Sequence, residues 1–175
     1  MIKWFIVVLA LVTLVAIFAC VVWFMDPFVL VILGLAPLVW IGGPAVLVSG
    51  IYLLIAHLKN RSARPAWIIL AAVAGWGGFV ALAIPANHRV QARAVTEAKA
   101  YPARIEPLLE TYRQTHGTFP ANLDQLPAAP PPPRLFRKWS YKSDGTNYWF
   151  SFPQPGGLID VWDYNGQTKT WHLST

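Results

Sequence analysis

The residue types that carry most enzyme chemistry are sparse in this sequence and stand far apart. The four histidines fall in unrelated segments without a second ligand at metal-binding spacing, and the single cysteine is Cys20. A zinc site needs clustered ligands, and a nucleophilic site needs a serine, cysteine or threonine beside a base. Neither a Gly-x-Ser-x-Gly elbow, nor Gly-x-Gly-x-x-Gly, nor a phosphate-binding loop occurs. We therefore predict a non-enzymatic protein with no catalytic residues and no cofactor.

Two groups of residues remain as candidates for binding. Rows of exposed aromatics can bind a peptide, a sugar or a partner protein, and four tryptophans follow residue 130: Trp139, Trp149, Trp162 and Trp171. The same indoles can instead cover a thin sheet or lie against a membrane surface. Asp160 and Asp163, with Asp144 and Asn147, are possible oxygen ligands for calcium. These side chains can equally be ordinary polar residues at strand edges. Both interpretations therefore stay open for the tryptophans, and both stay open for the carboxylates.

A long amphipathic pattern precedes Gly117. Apolar residues recur at steps of three and four, which is one face of an α-helix. They are Val90, Ala94, Ala98, Tyr101, Ile105, Leu108, Leu109 and Tyr112. Gly117 can adopt the left-handed conformation that ends a helix, and Pro120 prevents continuation before a short helical turn toward Leu126. Pro102 and Pro107 each remove a helix donor, so we expect a kink there or a new helix beginning near Pro102.

Beyond Leu135 the apolar residues recur with a period of two, which is typical of strands. Turn residues separate four short segments rich in aromatic and β-branched residues, namely Arg137–Lys142, Asn147–Phe152, Leu158–Tyr164 and Lys169–Leu173. Asn165-Gly166 predicts a tight hairpin of the primed type. We expect an antiparallel meander with one face against the helix, where Tyr148, Phe150 and Phe152 meet Ile105, Leu109 and Tyr112. A proline-rich connector, residues 127–133, should be extended.

The first half of the chain is almost uncharged and contains three apolar stretches, Trp4–Met25, Phe28–Ala56 and Ala66–Ala86. Each is long enough to cross about 30 Å of hydrocarbon at about 1.5 Å per residue. Pro37 and Gly42–Pro44 should bend the second stretch. The Ala71-x3-Gly75 and Ala74-x3-Gly78 spacings predict close helix approach by the third. We therefore divide the chain into a three-helix membrane anchor, residues 1–87, and a C-terminal domain, residues 88–175.

The placement of positive charge predicts the topology of this anchor. Lys3 precedes the first stretch, and Lys59, Arg61 and Arg64 lie between the second and third. Lysine and arginine accumulate on the cytoplasmic side of a membrane. The N-terminus is thus expected in the cytoplasm and the C-terminal domain in the periplasm of a bacterial inner membrane.

The net charge of +6 does not indicate a nucleic-acid partner. After residue 87 there are ten Lys and Arg against seven Asp and Glu, a surplus of three spread along the segment. A nucleic-acid-binding domain usually shows a basic stripe or patch. We therefore expect the partners to be the lipid bilayer and a periplasmic protein.

The residues at the end of the predicted helix carry a resemblance to a known family. Tyr112-x4-Gly117-Thr118-Phe119-Pro120-x2-Leu123-x2-Leu126 resembles the signature that ends the long helix of type II secretion pseudopilins, and the likeness covers residues 89–175. It implies a long helix on an antiparallel sheet, a protein that works by contact, and a calcium site in the strand-loop region. The chain lacks the prepilin leader, cleavage site and N-terminal glutamate of that family, so we expect neither peptidase processing nor filament assembly.

These observations favour an inner-membrane protein that displays a pilin-like, protein-binding domain in the periplasm, as an accessory of a secretion or pilus system. Two alternatives stay open. One is an immunity protein against a periplasm-acting toxin. The other is a ligand-binding or sensor module that uses the surplus tryptophans. The identity of the partner and the oligomeric state are open as well.

Overall fold

The computed structural model describes residues 2–126 and 128–175, with side chains from Val12 onward. The predictions that rest on the Lys3 side chain, on side chains 4–11 of the first apolar stretch and on Pro127 lie outside the described residues. The chain divides into two compact units, Met1–Val90 and Gln91–Thr175.

Helices dominate the first unit and a helix with a sheet forms the second. The helices are α1 (Ile2–Phe24), α2 (Pro27–Pro37), α3 (Gly43–Leu58) and α4 (Arg64–His116), with a π-helical segment (Leu38–Gly42) and a 3₁₀ turn (Leu123–Gln125). The strands are β1 (Tyr141–Ser143), β2 (Tyr148–Pro153), β3 (Val161–Asn165) and β4 (Thr170–Ser174). They form one antiparallel sheet in the order β1-β2-β3-β4. The predicted long helix and four-stranded antiparallel meander are confirmed.

Two helical stretches of the described chain, Pro27–Leu58 and Arg64–His116, are long and apolar enough to cross a membrane. Many of their large apolar side chains are exposed, including Trp40 at 78% and Ile68 at 70%. Apolar surface of this extent is unusual for a soluble domain and is what a bilayer would cover. In α1, the part with described side chains, Val12–Phe24, is a shorter apolar helix.

The predicted bend in the second apolar stretch takes the form of a change in helix type. Gly43 N donates to Leu38 O, five residues earlier, whereas an N–H group in an α-helix donates to the carbonyl four residues earlier. This wider turn immediately precedes Pro44, which has no donor of its own and crowds the preceding turn. The chain therefore passes Pro37 and Pro44 without leaving helical geometry.

Close helix approach in the first unit involves other small residues than those predicted. Apart from the nearby backbone of α4 itself, nothing in the described chain lies within 4 Å of a Cβ added at Gly75 or Gly78, so no other described helix approaches α4 at these predicted positions. A Cβ added at Gly34 would instead lie 3.1 Å from Val80 Cγ1. The Trp76 indole donates to Gly34 O at 3.0 Å. The glycine that permits contact is thus on α2, opposite large side chains of α4.

A buried amide closes the end of α1. Asn87 is fully buried, and its Nδ2 donates to Val22 O at 2.8 Å and to Met25 O at 2.9 Å. The last carbonyls of a helix have no partner within the helix. Asn87 supplies one in a region with few other polar side chains.

Helix α4 continues through Pro102 and Pro107, so the expected new helix start near Pro102 is wrong. Pro102 cannot donate to the carbonyl of Ala98, and its ring crowds the preceding turn. Tertiary contacts compensate: Pro102 is fully buried, and the neighbouring Lys99 carbonyl accepts a bond from Trp171 Nε1 at 3.2 Å. Packing of this turn against the sheet outweighs the local helix-breaking tendency.

The core of the second unit lies between α4 and the sheet. Tyr101, Ile105 and Leu109 of α4 and Phe150 and Phe152 of β2 are at most 1% exposed. Tyr148 belongs to the same cluster, and Leu108 and Tyr112 pack against it. The predicted contact between the aromatic face of the sheet and the helix is confirmed.

β2 and β4 begin one residue later than predicted, whereas β1 begins at Tyr141 instead of Arg137 and β3 at Val161 instead of Leu158. Residues 137–140 form a turn in which Arg137 N donates to Ser140 Oγ at 2.7 Å and Ser140 N donates to Arg137 O at 2.9 Å. Because of this turn, β1 begins only at Tyr141. Similarly, Gln154 N donates to Asp160 O at 2.8 Å, which holds the loop before β3 until Val161.

The β3–β4 connection is longer than the predicted two-residue primed turn. Asn165 pairs with Thr170, and Lys169, at φ 55°, donates its N–H to Asn165 O at 2.8 Å. Gly166 does not enter a primed turn because its N–H donates to Tyr148 O at 2.9 Å, which extends the ladder between β2 and β3. A Cβ at Gly166 would lie 2.6 Å from Tyr148 Cε1. Glycine is required here for close approach to a buried ring.

We predict that Gly166→Ala lowers the free energy of unfolding by about 1–3 kcal/mol, because the new methyl group collides with a core tyrosine. Urea unfolding of the full chain in mild detergent, followed by near-UV circular dichroism, measures this. Gln167→Ala, in the same loop but exposed, is the matched control and should change stability by less than about 0.5 kcal/mol. Equal stability of the two variants would contradict the assignment.

Candidate binding surfaces of the second unit

The four tryptophans proposed for partner binding do not share one surface. Trp162 and Trp171 pack against the core cluster on the sheet face that contacts α4. Phe152 pairs with Trp162, and Tyr164 pairs with Trp171, so the indoles continue the aromatic face of β2 across β3 and β4. This placement agrees with the alternative in which indoles cover a thin sheet.

Trp162 also holds a cation of α4. Lys99 Nζ lies 3.0 Å from the centroid of the Trp162 ring, and Trp162 Nε1 donates to Gln154 Oε1. Burial lowers the pKa of Lys99. The attraction of an ammonium to an indole face offsets part of the cost of removing that ammonium from water.

Trp149 and Trp139 lie elsewhere. Trp149 alternates with the buried residues of β2 and is half-buried on the outer face of the sheet, between Lys142 and Asn165 on the adjacent strands. Trp139 stands in the turn before β1 and is 47% exposed. Of the four indoles, Trp139 is therefore the one most available to a partner.

The proposed calcium ligands are occupied by local contacts. The Asp163 carboxylate accepts bonds from Ser151 Oγ at 2.6 Å and from Ser174 Oγ at 2.8 Å. In the part of the chain that the structure describes, no three His, Cys, Asp or Glu side chains form a metal-binding group. The Asp160 side chain folds over Gly157, at the loop that precedes β3.

Asp144, the third carboxylate considered for calcium, is also engaged. It accepts bonds from the backbone N–H groups of Asn147 and Thr146 and from the Thr146 hydroxyl. The Asn147 N–H, first, and the two Thr146 donors hold the pKa of Asp144 below its usual value. A calcium site therefore stays a prediction from the family resemblance.

The residues of the pseudopilin-like signature surround the end of α4. Gly117, at φ 77°, donates its N–H to Arg113 O at 2.8 Å, as in a left-handed helix cap. Phe119 N then donates to Gly145 O at 2.9 Å, and Pro120 O accepts a bond from Tyr141 OH at 2.9 Å. Phe119, Pro120 and Leu126 are buried, and Tyr112 and Leu123 pack against the same core. The signature thus fixes the path of the chain from helix to sheet.

Two clefts open beside this chain reversal. The first, called the basic cleft, has a volume of about 610 Å³ and is lined by Asn122, Leu123, Asp124, Pro132, Phe136, Arg137, Lys138, Ser140 and Tyr141. The second, called the apolar groove, has a volume of about 480 Å³ and is lined by Leu108, Thr111, Tyr112, Thr115, His116, Gln125, Leu126 and Ala128. Ligand-binding sites commonly combine such concave, apolar surface with a few polar groups.

The polar side chains of the apolar groove are turned toward the backbone. Thr111 Oγ1 donates to Pro107 O at 2.8 Å, and Thr115 Oγ1 donates to Thr111 O at 2.9 Å. The His116 ring stacks on Tyr112 at 4.0 Å between centroids. The groove therefore presents mainly methyl groups and ring faces to an incoming ligand.

The basic cleft has a rigid wall. The turn of residues 137–140 is closed by the two bonds between Arg137 and Ser140, and the Ser140 carbonyl accepts a further bond from Ser151 N at 2.7 Å. Ser140 is buried, whereas Arg137 and Lys138 are exposed. Sequence reasoning placed these residues in a strand and missed them as site residues. The absence of any acidic residue between Asp124 and Asp144 is the signal that identifies them.

Burial raises the pKa of four tyrosines in this unit. The pKa of Tyr141, in the basic cleft, rises to about 12. Burial likewise raises the pKa of Tyr101, Tyr148 and Tyr164. These phenols are held in their neutral form by the packing that forms the core.

We predict that Trp171→Phe lowers the free energy of unfolding by about 1 kcal/mol, because it removes the donor to the Lys99 carbonyl while retaining an aromatic ring. Trp139→Phe should change stability by less than about 0.5 kcal/mol, since that indole is exposed in a turn. Urea unfolding of both variants in detergent tests the distinction. A larger loss in Trp139→Phe than in Trp171→Phe would reverse the structural assignment.

Stability should also fall in alkaline solution. A tyrosine with a raised pKa stabilises the fold fully below pH of about 10, the value in the unfolded chain, and this contribution is lost as the pH rises to about 12 for Tyr141. Absorbance at 295 nm should show phenolate formation delayed relative to free tyrosine and coincident with unfolding. Tyr141→Phe should lessen the alkaline loss of stability; an unchanged pH profile would contradict it.

Comparison of the chain with protein family models, with curated proteins and with solved structures finds no match. The surfaces of the second unit and the sequence pattern are therefore the features that bear on function.

Proposed function

We propose that this chain is a non-enzymatic protein of a bacterial inner membrane that presents a pilin-like domain to a protein partner in the periplasm. The observation that carries the proposal is α4. Its first part is apolar enough to cross a membrane, and its last part forms one side of the core of the second unit. One helix thus belongs both to a membrane-type segment and to a folded helix-and-sheet unit.

The anchoring part of the proposal rests on exposed apolar surface. The stretches Pro27–Leu58 and Arg64–His116 satisfy the length and hydropathy needed for spanning. Lys59, Arg61 and Arg64 between them favour a cytoplasmic location for that connection. Residues beyond α4's apolar part are then periplasmic, and α1 supplies a third span.

The binding part of the proposal rests on the two clefts and on Trp139. Both clefts include residues of the reversal that contains the pseudopilin-like signature. The exposed indole of Trp139 belongs to the turn that supplies Arg137, Lys138 and Ser140 to the lining of the basic cleft. Aromatic anchors that fill pockets are typical of protein interfaces. The resemblance to type II secretion pseudopilins favours a role as an accessory of a secretion or pilus system.

Reporter fusions test the membrane arrangement. Alkaline phosphatase fused after Thr175 should be active and a green fluorescent protein at the same point should be dark, because only the former matures in the periplasm. Fusions after Arg61 should give the opposite pattern. Fluorescence from the Thr175 fusion would refute the periplasmic assignment.

Site-specific photo-crosslinking in intact cells tests the contact function. A photoreactive residue at Trp139 or at Ala128, one beside each cleft, should form a discrete crosslinked product of defined mass. The same residue at Ala103, exposed on α4, is the matched control. A secretion component in the product supports the accessory role, and a toxin would support an immunity role instead. Products that are absent at both clefts, or identical at Ala103, would refute protein binding at these surfaces.

A further inference from the structure

The surplus of positive charge in the second unit is concentrated at one place. Four of the ten basic residues after residue 87 fall between Arg134 and Lys142, a stretch without a single acidic residue. Arg134 is engaged, since its Nη2 donates to Gln91 Oε1 at 2.7 Å. Arg137, Lys138 and Lys142 are exposed, and among the described residues none of them forms an ion pair.

Three basic residues elsewhere in the unit have charged or aromatic partners. Lys169 pairs with Glu106, Arg113 with Glu110, and Lys99 lies over Trp162. Uncompensated cations next to one another repel and destabilise a fold slightly, and packing does not require them here. Arg137 and Lys138 both line the basic cleft, and this grouping therefore points to a ligand rather than to internal stabilisation.

The surroundings of these cations define the chemistry of the ligand. The cleft has an apolar floor that includes Leu123, Phe136 and the ring of Tyr141, and Asp124 is the one acidic residue in its lining. Trp139 follows the two rim cations directly and is 47% exposed. A ligand that fits must combine negative charge with apolar side chains.

We infer that the basic cleft binds an acidic, partly apolar segment of a partner protein, with Arg137 and Lys138 facing its carboxylates and Trp139 packing on an apolar side chain. A peptide segment is favoured over an anionic lipid surface because the cleft is concave, with a volume of about 610 Å³, whereas a bilayer presents a flat surface. The inference deepens the proposed protein-binding function and rests on it.

The preformed turn lowers the entropy cost of binding. The bonds between Arg137 and Ser140, and from Ser151 N to Ser140 O, hold residues 137–140 in one conformation before binding. Little backbone entropy is then lost on association. This turn replaces the strand that the sequence pattern predicts, and departures from local pattern are expected at functional sites.

The test uses the full chain in nanodiscs of neutral lipid. The probe is a short labelled peptide in which glutamates alternate with leucines, and its binding is followed by fluorescence anisotropy. Saturable binding that weakens as the salt concentration rises is expected, because the rim charges are exposed and screened. A peptide with lysines in place of the glutamates should not bind.

The variant Arg137→Glu with Lys138→Glu should weaken peptide binding by roughly ten-fold or more, mainly through slower association and like-charge repulsion. Arg93→Glu with Arg104→Glu, on exposed positions of α4, is the matched control with the same change of net charge and should retain binding. Arg137→Gln with Lys138→Gln covers the case in which charge reversal disturbs the fold. Trp139→Ala should also weaken binding.

Three results would overturn the inference: no saturable binding at low salt, equal loss in the control variant, or stronger recruitment to phosphatidylglycerol vesicles than to the peptide. Crosslinking at Ala128, in the apolar groove, separates this failure from failure of the proposed function. If a partner is captured at Ala128 and the peptide does not bind, the inference about the basic cleft is refuted and the proposed protein-binding function is not. Loss of crosslinking at both clefts removes the protein-binding function itself.

Discussion

The second unit depends on the contact between the apolar stripe of α4 and the aromatic face of the sheet. Tyr101, Ile105 and Leu109 meet Phe150 and Phe152, and all five are at most 1% exposed. Each such side chain contributes roughly 1.5–3 kcal/mol by leaving water. Because Cys20 is the only cysteine, no disulfide within the chain supplements this contact. A unit this small has little other apolar area to bury.

This contact determines which side chains are free to bind. The inner face of the sheet must be continuous across β2, β3 and β4, so Trp162 and Trp171 are drawn into it beside Phe152 and Tyr164. It also buries Pro102, and the Trp171 indole donates to the Lys99 carbonyl in the same turn of α4. The groups left for a partner are at the chain reversal after α4 and in the turn before β1.

The sequence pattern predicts the elements that depend on period and on single-residue conformation. The helix face and the alternation of Tyr148, Phe150 and Phe152 follow from spacing alone, and the end of α4 follows from the left-handed preference of Gly117. These features need no knowledge of distant contacts.

Features that depend on distant contacts were beyond such reasoning. Pro102 does not end α4, and the turn that contains it contacts an indole 69 positions later in the chain, that of Trp171, which donates to the Lys99 carbonyl. Gly166 suggests a primed turn, yet its N–H is used by Tyr148 O and its missing side chain makes room for the Tyr148 ring. The small residue needed for helix approach in the first unit is likewise Gly34, on the partner helix, and not Gly75 or Gly78. Intrinsic propensity is a weak guide where tertiary packing decides.

In the turn of residues 137–140, the local sequence pattern and the contacts with the rest of the chain give different results. Its composition suits a strand, but a buried serine closes it and exposes Arg137, Lys138 and Trp139. None of the three contributes to the core cluster, and the cations lack the acidic neighbours that Lys169 and Arg113 have. Selection for stability alone would disperse or pair such charges and bury or remove such an indole. The proposed contact with an acidic partner outside this chain would account for the arrangement and would match its charge.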